Sequence, residues 1–208
     1  MKKITSILVL SLISFALLAQ NRFSYSVEVA AGAGIGKGPL FTITPEFVAQ
    51  YDLGRGFNFG AGAGMRISKP CLQYITNNGN KSRSFCNEQD VPLFLRFGYG
   101  KEKLFANLDA GYSIGVLSYY SANWIPGGKK KPCYNGFFVE PQLGWRIGRR
   151  SALSLGLLLQ QSAIVNRVTT DSGTPDTPSY STRTDVQGQN VFTPAITLRY
   201  GFLFKRSH

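Results

Sequence analysis

Histidine is nearly missing: His208, at the very end of the 208 residues, is the only one. That excludes a Ser-His-Asp site as usually built, and a His-based metal site. Acids are scarce, 11 against 23 Lys plus Arg, and charged residues of both signs make up only 16% of the chain. No internal apolar run reaches the roughly 18–20 residues that would cross a bilayer as a helix. Cysteine is limited to Cys71, Cys86 and Cys133, an odd count that leaves one thiol over or paired outside the chain. A phosphate-binding loop is absent too. In "GAGIGKGP" (32–39) three residues lie between Gly32 and Gly36 where the motif needs four, Gly38 follows Lys37 where Ser or Thr is needed, and Pro39 leads into a strand. The segment reads as a glycine-rich strand and a tight turn. No cofactor, metal or nucleic-acid partner is expected.

Glycine (23 residues) and aromatics (13%) are plentiful, and they fall in a pattern. In "GFNFGAGAGMRIS" (56–68), Phe57, Phe59, Ala61, Ala63, Met65 and Ile67 alternate with Asn58, Gly60, Gly62, Gly64, Arg66 and Ser68. Period two makes this a strand with one apolar and one polar face. The same alternation recurs over 23–35, 40–53, 91–100, 104–116, 134–147, 152–165 and 191–204, giving eight strands. The seventh, rich in leucine, also fits a buried helix. Most of the strands run about 10–14 residues, longer than the 5–6 usual in globular sheets and close to the 9–11 that a tilted bilayer-spanning strand needs.

The connections alternate as well. Those at 36–39, 54–56, 101–103 and 148–151 are short, and those at 69–90, 117–133 and 166–190 are long. Apart from the first, at 36–39, short and long alternate strictly, and short turns at one end with long loops at the other mark an up-and-down transmembrane barrel, with the turns at 54–56, 101–103 and 148–151 periplasmic. The expected fold is therefore all-β, an eight-stranded antiparallel up-and-down transmembrane β-barrel. Its apolar face meets lipid, and the glycine and arginine face lines a narrow lumen. Glu28, Glu46, Asp109 and Glu140 fall in that lumen with Arg66, Arg96, Arg146 and Arg199, four acids against four bases. No Asp, Glu, Lys or Arg falls on a lipid face, where a basic residue would cost roughly 2–4 kcal/mol at the midplane. Mutual ion pairs are expected in the lumen. Phe23, Tyr25, Tyr51, Phe57, Trp145, Tyr200 and Phe204, among others, gather at the short-turn ends as an interfacial girdle.

Pro45, Pro92, Pro141 and Pro194 conflict with a closed sheet, because proline removes a ladder donor. Bulges or irregular pairing near the outer rim are the expected accommodation.

At the N-terminus, Lys2 and Lys3 precede an apolar run from Ile4 to Ala19. This reads as a secretory signal peptide cleaved between Ala19 and Gln20, leaving a domain over 20–208. Disulfides persist in an exported protein. Bridging Cys71 to Cys86 would close the loop between them, with Cys133 competing for either partner. Lys129, Lys130 and Lys131, preceded by Tyr119, Tyr120 and Trp124, form a basic and aromatic loop that fits lipopolysaccharide phosphate, an acidic partner, or simply solvent. The segment 166–190, rich in Ser, Thr, Asp and Pro, reads as a mobile loop.

The long strands, the hairpin "TPEFVAQYDLGRGFNFGAGAGMRI", the segment "FFVEPQLGWRI" and the end "ITLRYGFLFKRSH" together resemble the small, porin-like outer-membrane β-barrel family of Gram-negative bacteria, over roughly residues 21–204. The resemblance implies an outer-membrane location, contact with lipid and lipopolysaccharide, and recognition by the barrel-assembly machinery through the terminal aromatic, which Lys205, Arg206, Ser207 and His208 here overrun. It does not imply one activity. The residues favour a non-enzymatic barrel with a plugged polar lumen, acting in envelope structure or surface binding through its long loops. A small channel or a lipid-modifying barrel enzyme is the alternative.

Overall fold

Each strand has one apolar and one polar phase, so it can be satisfied only by a sheet with two unlike sides. The computed structural model describes residues 22–77, 80–85, 87–118, 136–171 and 180–205. The strands are β1 (Phe23–Gly34), β2 (Thr42–Gly54), β3 (Phe57–Gly64), β4 (Arg66–Ser68), β5 (Cys71–Asn77), β6 (Asn80–Phe85), β7 (Glu88–Lys101), β8 (Leu104–Ser118), β9 (Gly136–Arg146), β10 (Ser151–Asp171) and β11 (Tyr180–Lys205). Antiparallel neighbours run β11-β1-β2-β3-β7-β8-β9-β10, and β10 pairs with β11, which closes the ring. With β3 and β4 forming one broken stave, the fold is a closed eight-stranded barrel. The leucine-rich seventh segment is strand β10, paired on both sides.

The polarity of the barrel is inverted relative to a soluble one. Val27, Val29, Phe47, Leu95, Leu155 and Leu198 are exposed on the outer wall. Arg96 is 1% exposed, and Asp109, Glu46 and Glu140 are buried inside. The short turns need unusual backbone. Gly54, Arg55 and Gly56 take φ of 87°, 56° and 90°, and Glu102 takes 51°. Glycine supplies two of these left-handed positions at no steric cost.

The four prolines are accommodated by one-sided gaps in the ladders. Pro45 pairs with Val29 on one side, and Pro92 with Ser113. Their other sides meet at the break between β3 and β4. There the β2 ladder skips from Glu46↔Gly64 to Ile43↔Ile67, and the β7 ladder from Leu93↔Ala63 to Asp90↔Arg66. Two missing donors thus coincide at Gly64 and Met65, leaving Met65 N to donate to Pro45 O at 3.1 Å. Pro141 pairs with Leu108, and the β9–β10 ladder pauses beside it. Pro194 pairs with Leu159 and its carbonyl accepts from Ile35 N at 2.9 Å. Of the expected bulges or irregular pairing, these gaps are the irregular pairing. Register shifts lie near two of the prolines: near Pro92 between Gln89 and Asp90, and near Pro194 between Val191 and Gln187.

Two of the long connections are more ordered than the sequence suggested. Within 69–90, β5 and β6 pair as a hairpin, and β5 lies parallel to β10 over Gln73–Asn77. Outside 172–179, the segment 166–190, expected to be a mobile loop, instead continues the barrel wall. β10 and β11 stay paired out to Asp171↔Tyr180, beyond a register shift after Ser162. Its Val and Thr content favours strand over coil, and the ladder on either side gives it partners. The signal-peptide segment, Cys86, Cys133, Tyr119, Tyr120, Trp124, Lys129, Lys130 and Lys131 lie outside the described residues. Cys71 is buried at the start of β5.

Candidate functional site

The lumen is filled in three tiers. In the tier nearer the short turns, Glu28 of β1, Glu46 of β2, Arg96 of β7, Asp109 of β8, Glu140 of β9 and Arg199 of β11 converge. The inward phase of neighbouring antiparallel strands points all of them at the barrel axis. Arg96 grips Asp109 with two parallel bonds, Nε to Oδ1 at 2.6 Å and Nη2 to Oδ2 at 2.7 Å, and reaches Glu28 through Nη1 at 2.7 Å. Arg199 contacts Glu46 through Nη1, Glu140 at 2.8 Å through Nη2, and Glu28 at 3.1 Å. Gln142 donates to Asp109 at 2.7 Å and Thr197 to Glu140 at 2.6 Å. Such bidentate, charge-assisted contacts are the strong ones.

Of the eight charges expected to share the lumen, six do so here. The eight do not form one cluster: this tier holds four acids and two bases, and the lumen also buries Glu88 and Asp90, two acids outside the expected set. Arg66 lies in the tier beyond. Arg146 is half-buried at the short-turn mouth, where its Nη1 donates to Glu102 O at 2.8 Å.

Above the cluster sits an apolar layer of Val48, Phe94, Phe138, Leu158 and Ala195. Phe94 and Phe138 meet edge to face with centroids 6.2 Å apart. Arg66 stacks over Phe138 at 5.1 Å and Arg96 over Phe94 at 5.5 Å, so the ring pair is capped by a cation on each side. Lumen glycines make room for Phe94. A Cβ on Gly62 would lie 2.3 Å from Phe94 Cζ, and one on Gly111 would lie 2.1 Å from Leu93 O. Gly62→Val is therefore expected to lower the urea midpoint of unfolding, by the equivalent of about 1–3 kcal/mol for overpacking, with Gly148→Val, in a turn where a Cβ would meet nothing within 4 Å, as the comparison.

Beyond the apolar layer lies the third tier. Arg66 donates to Gln160 and stands 3.6 Å from Asp90, which is 0% exposed. Glu88, Ser68, Thr42, Ser113 and Ser162 are buried in the same tier. Sequence reasoning missed Asp90 and Glu88 because it began the strand at Val91, after both. It missed the apolar layer although a signal was present: Val48, Phe94, Phe138 and Leu158 are large apolar residues in the polar phase of their strands.

At the short-turn end the lumen opens as a vestibule of about 340 Å3, lined by Ser24, Gln50, Asn107, Arg146, Arg149 and Arg150 among others, with Arg96 and Glu28 at its floor. Among the described residues no group of three or more His, Cys, Asp or Glu could hold a metal ion.

No family model matches the sequence, and no curated protein matches it. Solved structures do. The chain is similar to the Yersinia pestis outer membrane protein Ail in a phospholipid bilayer nanodisc, at TM-score 0.43 and 7% identity over 87% of this chain and 99% of that one. It is similar to outer membrane protein AlkL in lipid bilayers, at TM-score 0.37 and 10% identity over 90% and 92%. A third likeness, to the P. putida toluene transporter TodX, has TM-score 0.22 and 11% identity, and covers 95% of this chain and 61% of that one.

Proposed function

We propose that the chain is an integral outer-membrane barrel without catalytic activity, its lumen sealed, and that its specific role lies in the long-loop end, in surface binding or envelope integrity. One observation carries the reading: the outer wall is apolar while the charges are internal. Water would reward the opposite arrangement. Hydrocarbon rewards this one, because a closed barrel leaves no backbone group unpaired toward lipid. The aromatic girdle supports it. Phe57 and Tyr99 pack with centroids 4.7 Å apart, Phe23 and Tyr51 at 5.2 Å, all at the short-turn ends of their strands.

Leu95→Arg tests it. Leu95 lies halfway along β7 between Ala61 and Ala110, 48% exposed on the wall. In vesicles the substitution is expected to cost roughly 2–4 kcal/mol, read as a drop in the urea midpoint of unfolding. On a water-facing wall the same change would be close to neutral, and that result would remove the reading. Fractionation gives a second check, since release without detergent would also contradict it.

A small channel is the second reading, favoured by the open vestibule. The septum of Phe94 and Phe138 opposes it, because a dry apolar constriction resists ion passage. Silence of the unaltered protein in planar bilayers is the result expected here.

A further inference from the structure

The outer wall carries a groove of about 710 Å3 close to the short turns, and the cross-strand registers explain it. One outward row runs Lys101, Leu104, Trp145, Leu153 and Tyr200 across β7 to β11. The next row runs Tyr99, Ala106, Leu143, Leu155 and Leu198. Ala106 stands between Tyr99 and Leu143 with only a methyl group, so the wall dips there.

Basic side chains crowd the turns at the same end. Lys101 lines the groove itself. Lys103 is its neighbour beyond Glu102, and Arg149 and Arg150 belong to the β9–β10 turn; all are exposed. The two turns are tied together, Arg146 N donating to Lys103 O at 2.7 Å and its side chain to Glu102 O. Counting Glu102 against the four bases leaves three net positive charges. Arg149 and Arg150 line the vestibule at the same end of the barrel, and Lys101 is the basic residue that lines the groove itself.

An apolar trough, an amphipathic Tyr99 and Trp145 at its side, and a cationic cluster at its polar end match one kind of molecule. We infer that this groove is a binding site for an anionic glycerophospholipid: an acyl chain lies along Ala106, Leu143, Leu155 and Leu198, and the headgroup phosphate meets Lys101, Lys103, Arg149 and Arg150. The inference rests on the membrane reading above. The driving forces are burial of the chain and attraction of the basic turns to negative headgroups. The basic residues supply the preference between headgroups, since any lipid chain could fill the trough.

Trp145 lies in the groove and reports on it. A Trp124→Phe chain, which leaves Trp145 as its single tryptophan, is refolded in vesicles containing brominated phosphatidylglycerol or, at equal mole fraction, brominated phosphatidylcholine. The anionic lipid is expected to quench Trp145 at least about twofold more strongly. Adding Ala106→Phe, which fills the trough, or neutralising Lys101, Lys103, Arg149 and Arg150 to Gln should each bring the two lipids level, with folding checked by gel mobility. Equal quenching before either change overturns the inference, as does a preference that survives both. Absence of quenching by either lipid would instead overturn the membrane reading.

Discussion

An Arg199→Met barrel is expected to lose about 3–5 kcal/mol of stability, the cost of breaking a buried ion pair from one side. Arg199 serves Glu46, Glu140 and Glu28 at once. Glu28 keeps Arg96 when Arg199 is gone. For Glu46 and Glu140, Arg199 is the ion-pair partner among the described residues, and methionine leaves both carboxylates buried with no cation in place. The test is a urea titration followed by the mobility shift between folded and unfolded barrel. Adding Glu46→Gln to Arg199→Met should restore part of the loss, because one uncompensated charge is removed. If the two changes add independently, the cluster does not act as a unit and the account of it fails.

The second large effect is on permeability. Phe94→Ala with Phe138→Ala is expected to raise ion conduction in planar bilayers above that of the unaltered protein. Both rings lie in the layer between Arg66 and Arg96, and the two alanines leave a gap in the layer that divides the lumen's polar tiers. The resulting pore should prefer cations, because its ionic constriction holds four carboxylates against two guanidiniums. Reversal potential under a salt gradient measures this. A double variant that folds but conducts no more than the unaltered protein would show that the ion cluster alone closes the lumen. Anion preference would show that Arg66 and Arg96 dominate the field along the pore.

The architecture was legible in the sequence because alternation along a strand is a direct record of two unlike environments. Phe57 to Ser68 displays it so regularly that the inward glycines and Arg66 could be assigned without coordinates. Legibility failed where a residue sat in the wrong phase for its chemistry. Phe94 points inward where Gly62 leaves room for its ring, and that is a relation between strands which no single segment reveals. Asp90 was missed for a local reason: the apolar alternation that marked the strand begins only at Val91. The hairpin of β5 and β6 and the extended pairing of β10 and β11 were missed because Ser, Thr and Asn serve loops and solvated ladders equally well, so their partners decide which forms.

Arg199 lies on the final stave, 153 residues from Glu46 and 171 from Glu28. The carboxylates it neutralises belong to the first, second and sixth staves. Until the C-terminal stave closes the ring, those acids have gathered without their shared counter-charge. Closure of the ring and neutralisation of its axis are therefore one event, and a cylinder that opens at the β1–β11 seam surrenders both together.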